Sequence, residues 1–168
     1  MLLKRASCLA ILAIAASCAP IAVQSPAGPR TLLFDRTGPL PPISISSVPA
    51  FSAADAPAAD VRAKIIVGNG FRAQATYGLT GGRQACGALR DCTLRSATIS
   101  GKIATYVRFS EPQTVDGTAF SHKIMGYLPV MQVRPDEPGS GLLWNGWCVE
   151  TQGCNDLEAL FLSLRVEA

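Results

Sequence analysis

The stretch FRAQATY at residues 71–77 indicates the class of fold, because its side chains alternate in character at every step. The odd positions hold Phe, Ala, Ala and Tyr, and the even positions hold Arg, Gln and Thr. Successive side chains of a β-strand point to opposite faces of the sheet, so this alternation predicts a strand with one buried face. The rest of the chain can be interpreted outward from this strand.

Similar alternation or short apolar runs recur along the chain, separated by turn-forming pairs such as Asn69-Gly70 and Asp116-Gly117. One helical turn is predicted at Asn155–Leu160, with Asn155 as the N-cap and Glu158 at the third position. The sequence therefore predicts a mainly β domain, a small antiparallel sandwich or barrel with one short helix near the C-terminus. The predicted strands cover residues 63–67, 71–77, 94–99, 103–109, 119–125, 128–133, 142–151 and 160–166.

The composition of the chain changes at about residue 61, which separates a proline-rich segment from the expected domain. Residues 19–60 hold eight of the twelve prolines, with many alanines and serines. Such a segment buries too little apolar surface to offset its ordering entropy, so it is interpreted as a linker, which would reach roughly 130 Å when fully extended. Short apolar patches at 31–34 and 43–48 could instead dock on the domain or on a partner. The folded domain is expected at residues 61–168, a one-domain length.

The first residues have the pattern of an export signal, predicted at residues 1–17. Lys4 and Arg5 form a charged start, and an apolar run follows over residues 8–16. This run is shorter than the roughly 20 residues that cross a bilayer as a helix. An uncleaved anchor would have to extend it through Ser17 and Pro20.

The segment Ala15-Ala16-Ser17-Cys18 resembles the lipobox of bacterial lipoproteins, although Ala15 stands where that family usually has leucine. The resemblance implies cleavage before Cys18 and acylation of its thiol, which would anchor the chain to a membrane. In a Gram-negative envelope, Ala19 after the cysteine implies sorting to the outer membrane, facing the periplasm. Ordinary cleavage after Ala19 or Ala22 is the alternative.

Four cysteines remain beyond Cys18, and they form two C-x5-C pairs. An even number in an exported chain predicts two disulfides. Local pairing is favoured, with each bridge contributing roughly 2.4 kcal/mol, although crossed pairings remain open. A zinc site with four cysteine ligands would prefer two to four intervening residues, so no metal or other cofactor is expected. The four residues are Cys86, Cys92, Cys148 and Cys154.

The charges of the domain are unevenly distributed along the chain. Residues 61–110 contain eight basic residues against Asp91 alone, whereas residues 111–168 are mainly acidic. Interleaved strands could neutralise the two halves as cross-strand pairs. Alternatively, a basic face that includes Arg90 and Arg95 could bind an acidic partner. The whole chain carries only +3, which argues against nucleic acid as a partner.

Trp144 and Trp147, in LLWNGWC, are the only tryptophans. A spacing of three places them on opposite faces of a regular strand, so at most one is expected in the core. A bulge at Gly146 could bring them together as an aromatic platform for a sugar ring.

The residues that could support catalysis form no recognisable catalytic motif. His122 shares a strand face with Phe120 and Ile124, which is typical of a hydrogen-bonded core histidine. No nucleophile, metal set or oxyanion motif accompanies it, so no catalytic residue is assigned and the protein is not expected to be an enzyme. Carboxylates that could form an acid–base pair are Asp116, Glu150, Asp156 and Glu158.

Anchor, linker and domain together predict a non-enzymatic envelope lipoprotein, a tethered interaction or structural module, whose partner is an envelope protein or glycan. A module that binds glycan or peptidoglycan through Trp144 and Trp147 is the first alternative. A small secreted hydrolase that uses His122 or a carboxylate pair is the second.

Overall fold

Long antiparallel hairpins form most of the molecule, as the alternation of residues 71–77 predicts. The structure is a computed structural model, and it describes residues 21–22, 28–57, 61–82, 84–131 and 139–168. The fold class is confirmed as mainly β with one short C-terminal helix. The elements are β1 (Ile21–Ala22), β2 (Arg30–Phe34), β3 (Ile43–Ser46), β4 (Phe51–Asp55), β5 (Arg62–Gly68), β6 (Phe71–Thr80), β7 (Thr93–Ile99), β8 (Lys102–Val115), β9 (Thr118–Met131), β10 (Ser140–Cys148), α1 (Thr151–Leu162) and β11 (Arg165–Val166).

Two sheets contain these strands. The larger has the order β1-β7-β8-β9-β10-β6-β5-β4, and the smaller has the order β11-β3-β2. All the pairings are antiparallel except that of β1 with β7, which is parallel. The helix α1 packs on β6, β9 and β10, and this side of the large sheet is called the inner face below. The opposite side is called the outer face.

Two glycines allow the helix to approach the sheet closely. A Cβ atom on Gly126 of β9 would lie 2.6 Å from Phe161 of α1, and one on Gly146 of β10 would lie 2.6 Å from Leu157. Phe161 also packs between Tyr106 and Trp144, at ring-centroid distances of 5.4 and 5.9 Å. Gly146 therefore provides room for the helix, and the pairing of β10 is continuous through it, without the bulge that the sequence suggested.

The linker interpretation is wrong for residues 28–57. Leu33, Phe34, Ile43 and Ile45 are at most 3% exposed and belong to the same core as the helix. The prolines of this segment lie between the strands, where they interrupt no hydrogen-bond ladder, so they mark turns. The folded part therefore begins well before residue 61. The predicted signal segment 1–17 and Cys18 lie outside the described residues.

The C-terminal predictions need two corrections. The helix begins at Thr151 with Glu150 as its N-cap, four residues before the predicted start, and it includes Cys154. It also extends to Leu162, so the strand predicted at residues 160–166 is reduced to the two residues of β11. Its leucines satisfy the helical period as well as the alternating one, and packing on the sheet selects the helix.

We expect Gly126→Ala to lower the free energy of unfolding by about 1–3 kcal/mol, because the added methyl group would overpack the site against Phe161. The Phe161 ring is held between two other aromatic rings and has little room to yield. Urea unfolding followed by circular dichroism measures the change. Gly82→Ala is the matched control, since no atom lies within 4 Å of its added Cβ. Equal stability of the two variants would contradict the close approach of the helix.

Candidate functional site

Both cysteine pairs form local disulfides. Cys86 bonds to Cys92 with a Cα–Cα distance of 5.6 Å, and Cys148 bonds to Cys154 with a Cα–Cα distance of 5.0 Å. This is the pairing that the spacing favoured. Since a disulfide retains no thiolate, these cysteines do not form a zinc site in this state. In the described part of the chain, no three His, Cys, Asp or Glu side chains come together as a possible metal site.

The two disulfides lie in different structural settings. Cys148–Cys154 joins the end of β10 to the first turn of α1, so it fixes the start of the helix on the inner face. Cys86–Cys92 closes the loop that leads into β7, which is called the disulfide loop below. This loop is fastened to β8, because the backbone N–H of Ser110 donates to the carbonyl of Arg90 at 3.1 Å. The Ser110 hydroxyl also donates to Asp91 at 3.0 Å.

The two tryptophans point to opposite faces of β10. Trp144 is fully buried on the inner face against Phe161. Trp147 is partly exposed on the outer face, where its indole N–H donates to Gln113 at 3.0 Å. The two rings thus lie on opposite faces, as the spacing of three predicts. The alternative, an aromatic platform of two exposed rings, is wrong because Trp144 contributes to the core.

Trp147 lies between two basic side chains in a row across the outer face. Arg72 of β6 and Lys123 of β9 are its cross-strand partners in register, so all three share one face. The Lys123 ammonium lies 5.4 Å from the centroid of the Trp147 ring, a cation–π contact. We call Arg72, Trp147 and Lys123 the outer row.

The far half of β8 folds against this row. The pairing of β8 with β9 shifts register between Ser110 and Gln113, which bends the hairpin at that point. Beyond the bend, each residue of the outer row meets one partner from β8 or its turn. Glu111 lies 3.0 Å from Lys123, Gln113 bonds to Trp147, and Asp116 lies 2.6 Å from Arg72.

A cavity of about 210 Å³ lies beside the Arg72–Asp116 ion pair, between the β5–β6 turn and the β8–β9 turn. Apolar side chains form much of its wall, and the Arg72–Asp116 ion pair lies at its polar side. The apolar lining residues are Val67, Phe71, Val115, Phe120 and Val149.

A second polar cluster fixes the helix to the inner face. Glu158 of α1 is 8% exposed, and its Oε1 atom accepts hydrogen bonds from Arg95 at 2.7 Å and from Tyr106 at 2.9 Å. The other carboxylate oxygen lies 3.7 Å from Arg108. Burial and the hydrogen bond to Glu158 raise the pKa of Tyr106 to about 12. The charge of Glu158 in turn raises the pKa of Arg95 above its usual value.

The two predicted arginines therefore differ. Arg95 is engaged by Glu158, so it holds the helix rather than presenting a free charge, although half of its side chain is exposed. Arg90 is exposed in the disulfide loop. Three ion pairs join the basic and acidic halves of the chain, which supports their mutual neutralisation: Arg72–Asp116, Arg95–Glu158 and Arg108–Glu158.

His122 is half-buried beside Ser121, whose Oγ lies 2.9 Å from the imidazole Nδ1. The single hydroxyl proton is donated to the carbonyl of Val149 at 2.6 Å, so Ser121 accepts from the imidazole. In this arrangement His122 does not act as a base toward Ser121.

The four candidate carboxylates also have separate contacts. Asp116 pairs with Arg72, Asp156 accepts from Gln152 at 2.7 Å, and Glu158 pairs with Arg95 and Arg108. Glu150 is the helix N-cap residue, and its side chain makes no capping hydrogen bond.

The outer row around Trp147 is not evident from the sequence. The alternation of β6, β9 and β10 could have placed Arg72, Trp147 and Lys123 on outward positions. That the three residues lie side by side depends on the order and register of the strands, which cannot be read from the sequence.

Comparison with known proteins gave no match to any family model, curated protein or solved structure. Among the described residues, no helix is both long and apolar enough to cross a bilayer.

We expect Glu158→Gln to lower the free energy of unfolding by about 1–3 kcal/mol, because it leaves the charges of Arg95 and Arg108 without their carboxylate. Urea unfolding at neutral pH measures the change. Glu150→Gln is the matched control, since Glu150 is exposed and its side chain caps nothing. A loss as large in the control would show that Glu158 has no special role.

We also expect all three tyrosines to titrate above their ordinary pKa of about 10 in the folded protein. Burial raises the pKa values of Tyr77 and Tyr106 to about 12 and also raises that of Tyr127. The folded state then binds more protons than the unfolded state, so stability falls as the pH rises from about 10 to about 12. Tyrosinate absorbance against pH measures this, with the protein in denaturant as control. A titration near pH 10 in both states would contradict the burial.

Proposed function

We propose that the protein is a non-enzymatic lipoprotein of a bacterial cell envelope, an interaction module anchored through Cys18. The proposed location is the membrane surface, and more specifically the periplasmic side of the outer membrane. The lipobox-like segment supports the anchor. The two disulfides are weakly consistent with export, because such bridges persist in oxidising compartments.

The observation that carries the interaction role is the outer row. The inner face of the large sheet is covered by α1, whereas Trp147 and its charged neighbours remain partly exposed on a rigid strand face. A partly exposed aromatic ring flanked by hydrogen-bonding and charged groups is typical of a binding surface. The partner in this proposal is another envelope component, a protein or a glycan.

Glycan binding is the second candidate, now with Trp147 alone as the stacking ring. The side chains around it carry both donors and acceptors in fixed pairs, which suits the hydroxyl groups of a sugar. The nearby cavity of about 210 Å³ adds an apolar wall on the same side as Arg72.

The anchor is tested by the intact mass of the non-reduced protein, expressed as the full chain with its own leader and extracted from membranes. We expect a chain that starts at Cys18, carries added acyl mass, and is about 4 Da lighter than its thiol form because of two disulfides. An unacylated chain with a different start would refute the anchor. Free thiols would refute the argument from export.

Glycan binding is tested by tryptophan fluorescence during titration with peptidoglycan fragments. We expect a spectral shift in the native protein and in Trp144→Phe, provided that this core variant still folds, and its loss in Trp147→Phe. The two variants are matched because each retains one tryptophan. Trp144→Phe retains the partly exposed Trp147, and Trp147→Phe retains the buried Trp144. No shift at saturating fragment concentrations would eliminate the glycan candidate.

A further inference from the structure

The cavity between the β5–β6 turn and the β8–β9 turn has a rigid apolar floor. Phe71 and Phe120 line it, and both are at most 7% exposed. The β5–β6 side is fixed, because the backbone N–H of Val149 donates to the carbonyl of Gly70 at 2.9 Å and Gly153 of α1 packs on the same turn. A cavity whose walls are held in this way is formed before a ligand binds, as is usual for small-molecule sites.

Two opposite charges lie at the polar side of this cavity. The contact of Arg72 with Asp116 joins one guanidinium nitrogen to one carboxylate oxygen at 2.6 Å, and the two side chains are 24% and 68% exposed. This contact leaves the other N–H groups of Arg72 and the second oxygen of Asp116 able to bond further. The two charges cancel, so the site favours neither a simple anion nor a simple cation. It presents a positive and a negative group side by side.

A free amino acid matches this arrangement of charges. Its carboxylate and its ammonium group are attached to one carbon atom, so they can reach Arg72 and Asp116 together through charge-assisted hydrogen bonds. An apolar side chain would then enter the cavity and remove its surface from water. The volume of about 210 Å³ is below the roughly 300–1,000 Å³ of pockets for drug-sized ligands, so it suits one amino acid rather than a longer peptide.

We propose that this cavity binds a free α-amino acid with an apolar side chain. Arg72 holds the carboxylate, Asp116 holds the ammonium group, and the apolar walls surround the side chain. The inference goes beyond the interaction role proposed for the outer row, with which it shares only Arg72. It does not depend on the acylation of Cys18.

Isothermal titration calorimetry tests the site, with the full chain expressed with its own leader and purified in detergent. The probes are the L and D forms of leucine and of phenylalanine, and we expect saturable binding of at least one of them. The N-acetyl derivative of that amino acid has no ammonium group, and its amide has no carboxylate. Each derivative should bind at least about ten-fold more weakly, the effect of one lost charge-assisted hydrogen bond. Preference for the D form would indicate cell-wall peptides as the source, and preference for the L form would indicate proteins.

The variant Asp116→Asn tests the recognition of charge. Asparagine tolerates the left-handed backbone of position 116 as aspartate does. We expect the variant to weaken amino-acid binding at least about ten-fold and to strengthen binding of the N-acetyl derivative, whose carboxylate Asp116 would repel. Asp55→Asn is the matched control and should change neither affinity, because Asp55 also pairs with a basic side chain, Lys64 at 2.7 Å, but does not line the cavity.

The variants Val67→Phe and Val61→Phe test the apolar part of the site. Both valines are 41% exposed, but of the two only Val67 lines the cavity. We expect the larger ring at position 67 to occupy the cavity and weaken amino-acid binding at least about ten-fold, as expected when a small site loses the volume that its ligand fills. The same change at position 61 should leave the affinity unchanged. Circular dichroism checks that each variant is folded.

Three results would overturn the proposal. The first is no binding of any of the four amino acids up to its solubility limit. The second is equal affinity for an amino acid and its N-acetyl derivative, because charge is then not recognised. The third is binding that neither Asp116→Asn nor Val67→Phe changes, because the ligand then lies elsewhere. None of these results bears on the anchor at Cys18 or on glycan binding by Trp147, which have their own tests.

Discussion

The helix α1 packs against Gly126 of β9 and Gly146 of β10, which brings it into close contact with the sheet backbone. Only glycine, which has no Cβ atom, leaves room at these two positions for Leu157 and Phe161 to reach the sheet backbone. With the helix at this depth, Trp144 is covered, Glu158 reaches Arg95 and Tyr106, and Cys154 meets Cys148. A helix held further out would open the core and weaken all these contacts, because dispersion falls steeply with separation.

Because α1 covers only the inner face, the two faces of the large sheet differ in their surroundings. The inner face is occupied by the helix and by the small sheet, so its polar groups serve the fold. On the outer face, the bend of β8 places one polar partner against each member of the outer row. The ion pairs there are partly exposed and contribute little to stability, typically below about 1 kcal/mol each. They leave Trp147 partly exposed among charged side chains, and this is the surface that we propose for recognition.

Much of the fold could be predicted from the sequence, because alternation records which face of a strand is buried. The strand at 71–77 follows from this signal, whereas the C-x5-C spacing only favours the local disulfide pairing that the structure shows. The sequence does not indicate the helix start at Thr151, because Gly153 and Cys154 give no helical signal, while close packing against Gly70 requires a glycine at position 153. The linker interpretation fails for residues 28–57 because their proline content describes the turns and not the strands between them. The outer row depends on register between distant strands, which no local pattern contains.

Residues 28–57 belong to the fold and Ile21 pairs with β7, so an acylated Cys18 would hold the domain directly on the membrane. Neutron reflectometry of the acylated protein on a supported bilayer containing phosphatidylglycerol measures the hydrated gap between headgroups and protein. We expect a gap below about 11 Å, the reach of the three residues from Cys18 to Ile21. A gap of several tens of ångströms, as a tether reaching up to roughly 130 Å would allow, would contradict it.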